Sequence, residues 1–169
     1  MIDLHSHIVP GFDDGARSME DALEMARMAA DSGVTILAAT SHGNLSQGDP
    51  GACLRDYRKR LAMLRREVRL AGIRLKLAGG MEILLTGETL RYAERHRLPG
   101  LRGGNWILAE FVFDIPQARA RRRLEFLDRQ GYQVILAHPE RYDFVQRDPG
   151  CLREIAGESI VLLKNEGAL

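Results

Sequence analysis

The chain is predicted to fold as an α/β domain, a β/α barrel that is incomplete at its C-terminal end. Three observations carry that prediction. Apolar runs of strand length alternate with longer stretches of helical period, the pattern of βα units around a mainly parallel sheet. The apolar runs end in metal-capable side chains: His5 and His7, then His42, Glu82, Glu110 and His138. In a barrel of alternating strands and helices, the strand ends and the loops leaving them converge on one face, so residues this far apart in sequence can meet in one cleft.

The elements follow in order. Strands are predicted at 2–5, 34–40, 74–82, 106–112, 133–138 and 160–163. Between the first two, Ser18 and Asp21 make a Ser-x-x-Asp helix start, and Ala22, Leu23, Ala26, Ala29 and Ala30 form an apolar stripe that Gly33 stops. Asp49 and Pro50 open a second helix, with Leu54, Tyr57, Leu61, Leu64 and Val68 at helical spacing. Shorter helical stretches run from Thr86 to His96, from Ile115 to Gly131 through Pro116, and from Pro149 to Ala156. After the sixth strand comes Lys164-Asn165-Glu166-Gly167-Ala168-Leu169, with no helix or strand to close a barrel. An open barrel exposes unpaired strand edges, which leaves an open sheet, an edge covered by a partner subunit, or a fragment.

Composition sets the outer bounds. At 169 residues with 45% hydrophobic side chains, the chain suits one domain with a substantial core, residues 1–169, and no repeat or linker divides it. Twenty-four Lys+Arg against 23 Asp+Glu give a formal charge of +1, so no global field draws it to nucleic acid or a membrane surface. Cys53 and Cys151 lack the spacing of a zinc knot or redox motif, and no secretory signal precedes the first strand, so a cytoplasmic setting is expected. No apolar run approaches the ~20 residues needed to span a bilayer, and direct membrane insertion is not expected.

The side chains at the strand ends suggest chemistry. His5-x-His7 places two imidazoles on one face of a strand, an arrangement suited to a divalent transition metal; the plain alternative is that they satisfy buried hydrogen bonds. Asp13-Asp14-Gly15 reads first as a turn, with Asp14 a further candidate ligand and, with Arg141, a catalytic candidate. His42 is a weak signal alone. Glu82 and Glu110 each interrupt an apolar segment, where a carboxylate is costly unless paired or bound to a metal. His138 ends a strand, and Pro139 is expected to impose an extended exit there. Arg141 can grip a phosphate or else be a solvated loop charge or an ion pair with Glu140.

His96 is expected in solvent, the run Arg119, Arg121, Arg122 and Arg123 on one solvated helix side, and Trp106 and Tyr142 need no special role. Mixed imidazole and carboxylate ligands point to a multinuclear site for Mn, Fe, Zn or Co and to hydrolysis of a phosphate ester or another bond.

Five segments carry a resemblance: Met1-Ile-Asp-Leu-His-Ser-His through Asp13-Asp14-Gly15, Ala39-Thr40-Ser41-His42, Gly80-Met81-Glu82-Ile83, Ile107-Leu108-Ala109-Glu110-Phe111 and Ala137-His138-Pro139-Glu140-Arg141-Tyr142. In this order they resemble the PHP (polymerase and histidinol phosphatase) superfamily, in particular the bacterial capsule and exopolysaccharide tyrosine-protein phosphatases. The resemblance implies a distorted PHP-type, TIM-like barrel and a cytoplasmic hydrolase of capsule and exopolysaccharide synthesis. It implies His5, His7, Asp14, His42, Glu82, Glu110 and His138 as metal ligands, Arg141 as the phosphate-binding residue, and two or three manganese ions. Its substrate would be phosphotyrosine on a bacterial tyrosine kinase, and it would be able to form a homo-oligomer.

Two departures accompany the resemblance. Where the family commonly has Pro-His-His, this chain has Ser41-His42-Gly43, and no Ser-Asp-Ala-His segment occurs before Leu169, so fewer ions are expected to be held firmly. Histidinol-phosphate phosphatase or another PHP phosphoesterase is the competing enzyme, and a non-catalytic metal- or phosphopeptide-binding domain is the third reading.

Overall fold

In the computed structural model, residues 1–43, 45–46, 48–156 and 160–162 are described. Along them run β1 (Ile2–Ser6), α1 (Met19–Asp31), β2 (Ile36–Ala39), β3 (His42–Gly43), α2 (Pro50–Leu70), β4 (Lys76–Gly79), β5 (Glu82–Leu84) and α3 (Gly87–Ala93). They are followed by β6 (Trp106–Glu110), α4 (Gln117–Arg129), β7 (Gln133–Leu136), α5 (Asp143–Arg147), α6 (Cys151–Ala156) and β8 (Ile160–Leu162). The expected strand end at residue 163 and the tail 164–169 lie outside the described residues.

The strands form two parallel sheets, ordered β1-β2-β4 and β3-β5-β6-β7-β8. Two extended runs are shared between them. The chain leaves the first sheet after Ala39, passes Thr40 and Ser41, and enters the second at His42; it does the same after Gly79, through Gly80 and Met81, to Glu82. The predicted strand at 74–82 is therefore two strands, and the run at 34–40 is followed by a short strand that periodicity did not predict. Taken as runs, the order in space follows the order in sequence, as repeated βα units require. No pairing joins β1 to β8 among the described residues, so what forms there is an α/β fold with parallel sheets and no closed barrel.

A tyrosine hydroxyl bridges the crossing. Buried Tyr57, from α2, donates to the Ala39 carbonyl at 2.6 Å and accepts from the Gly80 amide at 3.0 Å, pairing the backbone groups that the bend takes out of the ladder.

The helices cover one side of the sheets. Ser18 caps α1 by accepting from the Asp21 amide, and Ala22 and Ala26 are buried. Asp49 caps α2 by accepting from the Gly51 amide, Pro50 stands in its first turn, and Tyr57, Leu61, Leu64 and Val68 are buried as their spacing predicts. α4 buries Ala120, Leu124 and Leu127. Its arginines do not all stay in solvent: Arg119, Arg121 and Arg122 are exposed, but half-buried Arg123 donates to the Leu85 carbonyl. His96 is exposed and stacks on Tyr92.

On the other face of the sheets Leu108, Ile135 and Ala137 make a small separate cluster with Leu4 and Leu101. Ile107, Ala109, Val134 and Leu136 belong instead to the main core, so β6 and β7 alternate with a period of two. Glu110, two residues beyond Leu108, continues the inner face. β1 reaches that face differently. Its register with β2 shifts between Asp3 and Ser6, and such a bulge re-aims the side chains that follow.

Candidate metal centre

Glu82 lies at the middle of four imidazoles. It begins β5, paired laterally with His42 at the start of β3, and its side chain is fully buried. One carboxylate oxygen is 3.1 Å from His5 Nε2, 3.1 Å from His7 Nε2 and 3.3 Å from His42 Nδ1; the other is 3.4 Å from His138 Nε2. Neither oxygen receives a hydrogen bond of acceptable geometry, and His138 Nδ1 is also buried without one. His5 Nε2 and His7 Nε2 stand 3.2 Å apart, and Glu110 Oε1 lies 3.3 Å from His42 Nδ1.

Five of the predicted ligands thus surround one buried carboxylate or its neighbours, and Asp14 lies at the rim. Its side chain is 80% exposed, 3.6 Å from His7 Nδ1 and 3.7 Å from His42 Nε2. Its neighbour Asp13, read from sequence as part of a turn, is the buried member of the pair. Asp13 Oδ2 is 2.8 Å from His7 Nδ1 and accepts from the His42 amide at 2.8 Å, so one carboxylate fixes two candidate ligands. Gly15 permits this packing, because a Cβ there would stand 2.0 Å from the His7 carbonyl oxygen.

Polar contacts set the protonation of these groups. Burial works against a charge on His7, but Asp13 and Glu82 outweigh it and push its pKa up to about 10. Burial likewise opposes the charge of Glu82, yet contact with His5 and His7 brings it down to about 2. His42 is raised chiefly by Glu110, and burial lowers His138. In Asp13 the cost of burial is overcome by His7 and the His42 amide, and its pKa is lowered.

The donor set fits a metal. Buried polar atoms without hydrogen bonds mark a place for an ion, and several imidazole nitrogens converging on a carboxylate are ligands of the kind that divalent transition metals take. Among the described residues three combinations could hold one: His5, Glu82 and His138; His7, His42 and Glu82; and His7, Asp13 and Asp14. Glu82 is common to the first two.

His138 departs from its expected geometry. Instead of an extended exit before Pro139 it adopts φ 50° and ψ 44°, in the left-handed region. Proline disfavours the right-handed helical region of the residue before it, and here the chain takes the other turn. Such backbone is costly for a residue with a Cβ and persists where neighbours hold it. Tyr142, given no role from sequence, does part of the holding. Its buried hydroxyl donates to the Ala137 carbonyl at 2.7 Å and accepts from the Phe111 amide at 3.2 Å, joining the exits of β6 and β7. Arg141 ends a 3-10 turn over Pro139–Arg141, and its side chain is 55% exposed, with Nε 3.8 Å from Glu140 Oε1.

Over residues 1–167 the chain matches the family described as capsular polysaccharide synthesis, CpsB/CapC. The chain belongs to the CpsB/CapC family. Among similar CpsB/CapC proteins is the tyrosine-protein phosphatase YwqE of Bacillus subtilis, 32% identical over 171 residues that take in 100% of this chain and 66% of YwqE. The tyrosine-protein phosphatase CpsB of Streptococcus pneumoniae is 28% identical over 156 residues, 92% of this chain and 63% of that protein.

The fold matches at TM-score 0.82 and 31% identity a crystal structure from work on YwqE of Bacillus subtilis and CpsB of Streptococcus pneumoniae, described as unique metal-dependent tyrosine phosphatases. That match covers 96% of this chain and 65% of the other. The chain therefore spans a little under two thirds of the length of these relatives. No helix among the described residues is long and apolar enough to cross a membrane.

Proposed function

We propose that this chain is a metal-dependent phosphatase that hydrolyses phosphotyrosine in proteins, a single domain over residues 1–169 whose two sheets are parts of a distorted PHP-type barrel. The observation that carries this reading is Glu82, a fully buried carboxylate among four imidazole nitrogens at 3.1–3.4 Å with no hydrogen bond of its own. His5, His7, Asp14, His42, Glu82, Glu110 and His138 would hold the metal, which we take to be manganese. When bound, such ions supply hydroxide near neutral pH and neutralise charge on a phosphoryl group.

The chain's own residues do the rest. Arg141, only loosely tied to Glu140, turns its guanidinium to the phosphate oxygens. Exposed Asp14, at the rim beside His7 and His42, handles a proton at its outer oxygen as well as joining the ligands. Asp13 holds His7 and the backbone of His42 in place.

The names of the relatives favour phosphotyrosine over histidinol phosphate and over binding without turnover. On the resemblance of the sequence motifs to the capsule and exopolysaccharide phosphatases, the partner is a tyrosine kinase of that synthesis in the cytoplasm, and homo-oligomers form. The test is phosphate release from a phosphotyrosyl peptide by the 169-residue chain, with manganese and after chelation. Release that needs manganese and is lost in His138→Ala is expected; a folded, manganese-loaded chain without release overturns the reading.

A further inference from the structure

Beside the metal centre, the loop leaving β6 holds an aromatic ring out in solvent. Phe113 is 47% exposed and Val112 49%, although Phe111 just before them is buried. Water contact on a phenyl ring is unfavourable, and two apolar side chains stand side by side here. This loop is not free. The Phe111 amide donates to the Tyr142 hydroxyl at 3.2 Å, the Val112 carbonyl accepts from the Ile115 amide at 3.1 Å, and the Phe113 carbonyl accepts from the Asp143 amide at 2.9 Å. Three consecutive residues have their backbone pinned, so the loop cannot shift its backbone to bury Val112 and Phe113.

What the ring lies beside points to its use. The guanidinium carbon of Arg141 stands 6.0 Å from the Phe113 ring centroid, at the outer range of a cation–π contact, and the Tyr142 ring is 6.3 Å away. Arg141 is itself tied to the centre, its amide donating to the His138 carbonyl at 2.9 Å.

We propose that Phe113 is the aryl-recognition residue of this site, stacking on the ring of an aryl phosphate monoester whose phosphate is held at Arg141. The inference rests on the phosphatase reading above and adds the residue that tells tyrosine from serine. In an aryl phosphate the ring is one oxygen atom from phosphorus, so an anion held at Arg141 brings its ring to Phe113. A phosphoserine offers no ring. A stacked or edge-on aromatic pair corresponds to about three- to tenfold in affinity beyond the area it covers.

The test uses two peptides of identical sequence, one with a non-hydrolysable phosphonate on an aromatic residue and one with it on an alkyl residue. Their equilibrium binding to the manganese-loaded 169-residue chain is compared for wild type, Phe113→Leu and Phe113→Tyr. Wild type and Phe113→Tyr are expected to prefer the aryl peptide by about three- to tenfold, and Phe113→Leu to lose that preference. No preference in wild type, no binding of either peptide, or an equal loss on both peptides in Phe113→Leu overturns the proposal. An aryl preference in a chain that releases no phosphate would overturn the phosphatase reading alone; turnover without an aryl preference would overturn this inference alone.

Discussion

Asp13 and His7 are in contact at 2.8 Å, carboxylate oxygen to Nδ1, and the same oxygen receives the amide of His42. The pair leaves His7 Nε2 facing Glu82. A histidine ligand held through its other nitrogen keeps its tautomer and orientation, and loss of such a partner typically weakens metal binding about 10- to 100-fold. Asp13→Asn is therefore expected to lower manganese affinity by about that factor. Competition with a chelator, read beside an unchanged circular dichroism spectrum, checks it.

The protonation of the site couples stability to pH with a definite sign. His7 is raised from 6.5 to about 10, so in the metal-free chain its stabilising contribution is complete below pH 6.5 and is lost as pH rises through 10. Glu82 is lowered from 4.5 to about 2, so its contribution is present above pH 4.5 and is lost as pH falls through 2. Metal ligation needs His7 neutral, so manganese affinity runs the other way and increases from pH 6 to pH 9. Denaturant midpoints without metal and manganese affinities, measured over that interval, should move in opposite directions.

Much of this was legible in the sequence, and the failures have physical reasons. Tyr57, Leu61, Leu64 and Val68 are buried at the spacing that predicted them, because a helix lying on a sheet repeats its contacts every turn. His5, His7, Glu110 and His138 lie at or just past the ends of β1, β6 and β7, and His42 and Glu82 open β3 and β5 where two runs change sheets, so the six meet on one face. The division of the run at 74–82 was hidden, since Gly80 and Met81 interrupt no apolar pattern; what lets the chain change sheets is a hydroxyl from α2, a tertiary contact. Asp13 was read as a turn residue because the Asp-Asp-Gly tripeptide does not say which aspartate faces inward. The left-handed turn at His138 was missed because the residue before proline is ordinarily extended, and here Tyr142 and the exit of β6 hold it otherwise. Gly43 stands where the family commonly has a second histidine, and a Cβ there would come 3.2 Å from Met81 Cβ.

Tyr142 ties two strand exits with one oxygen. In Tyr142→Phe the buried Phe111 amide and Ala137 carbonyl both lose a partner, which costs about 1–3 kcal/mol for each group left unsatisfied. Urea denaturation should show a lower midpoint with an unchanged slope. Manganese affinity should fall as well, because His138 leaves from the strand exit that the tyrosine fixes.

Arg141 separates phosphate binding from metal binding. Its side chain is more than half exposed and makes no buried contact among the described residues, and such surface substitutions usually stay within about 0.5 kcal/mol. Arg141→Ala is expected to leave unfolding midpoint and manganese affinity as they are while weakening inhibition by inorganic phosphate. Arg141→Lys should restore that inhibition only in part, since a single ammonium cannot make the paired contacts of a guanidinium.

The central claim is that the carboxylate of Glu82, buried among four imidazoles, is there to hold metal. Calorimetric titration of the metal-free 169-residue chain with manganese, compared with Glu82→Gln, tests it most directly. Saturable binding to the wild-type chain, weakened by at least the roughly 10- to 100-fold that loss of an outer-shell partner costs, is the predicted result for a substitution that keeps shape and removes charge. Equal affinity in the two chains, or no binding to a folded wild-type chain, would contradict it.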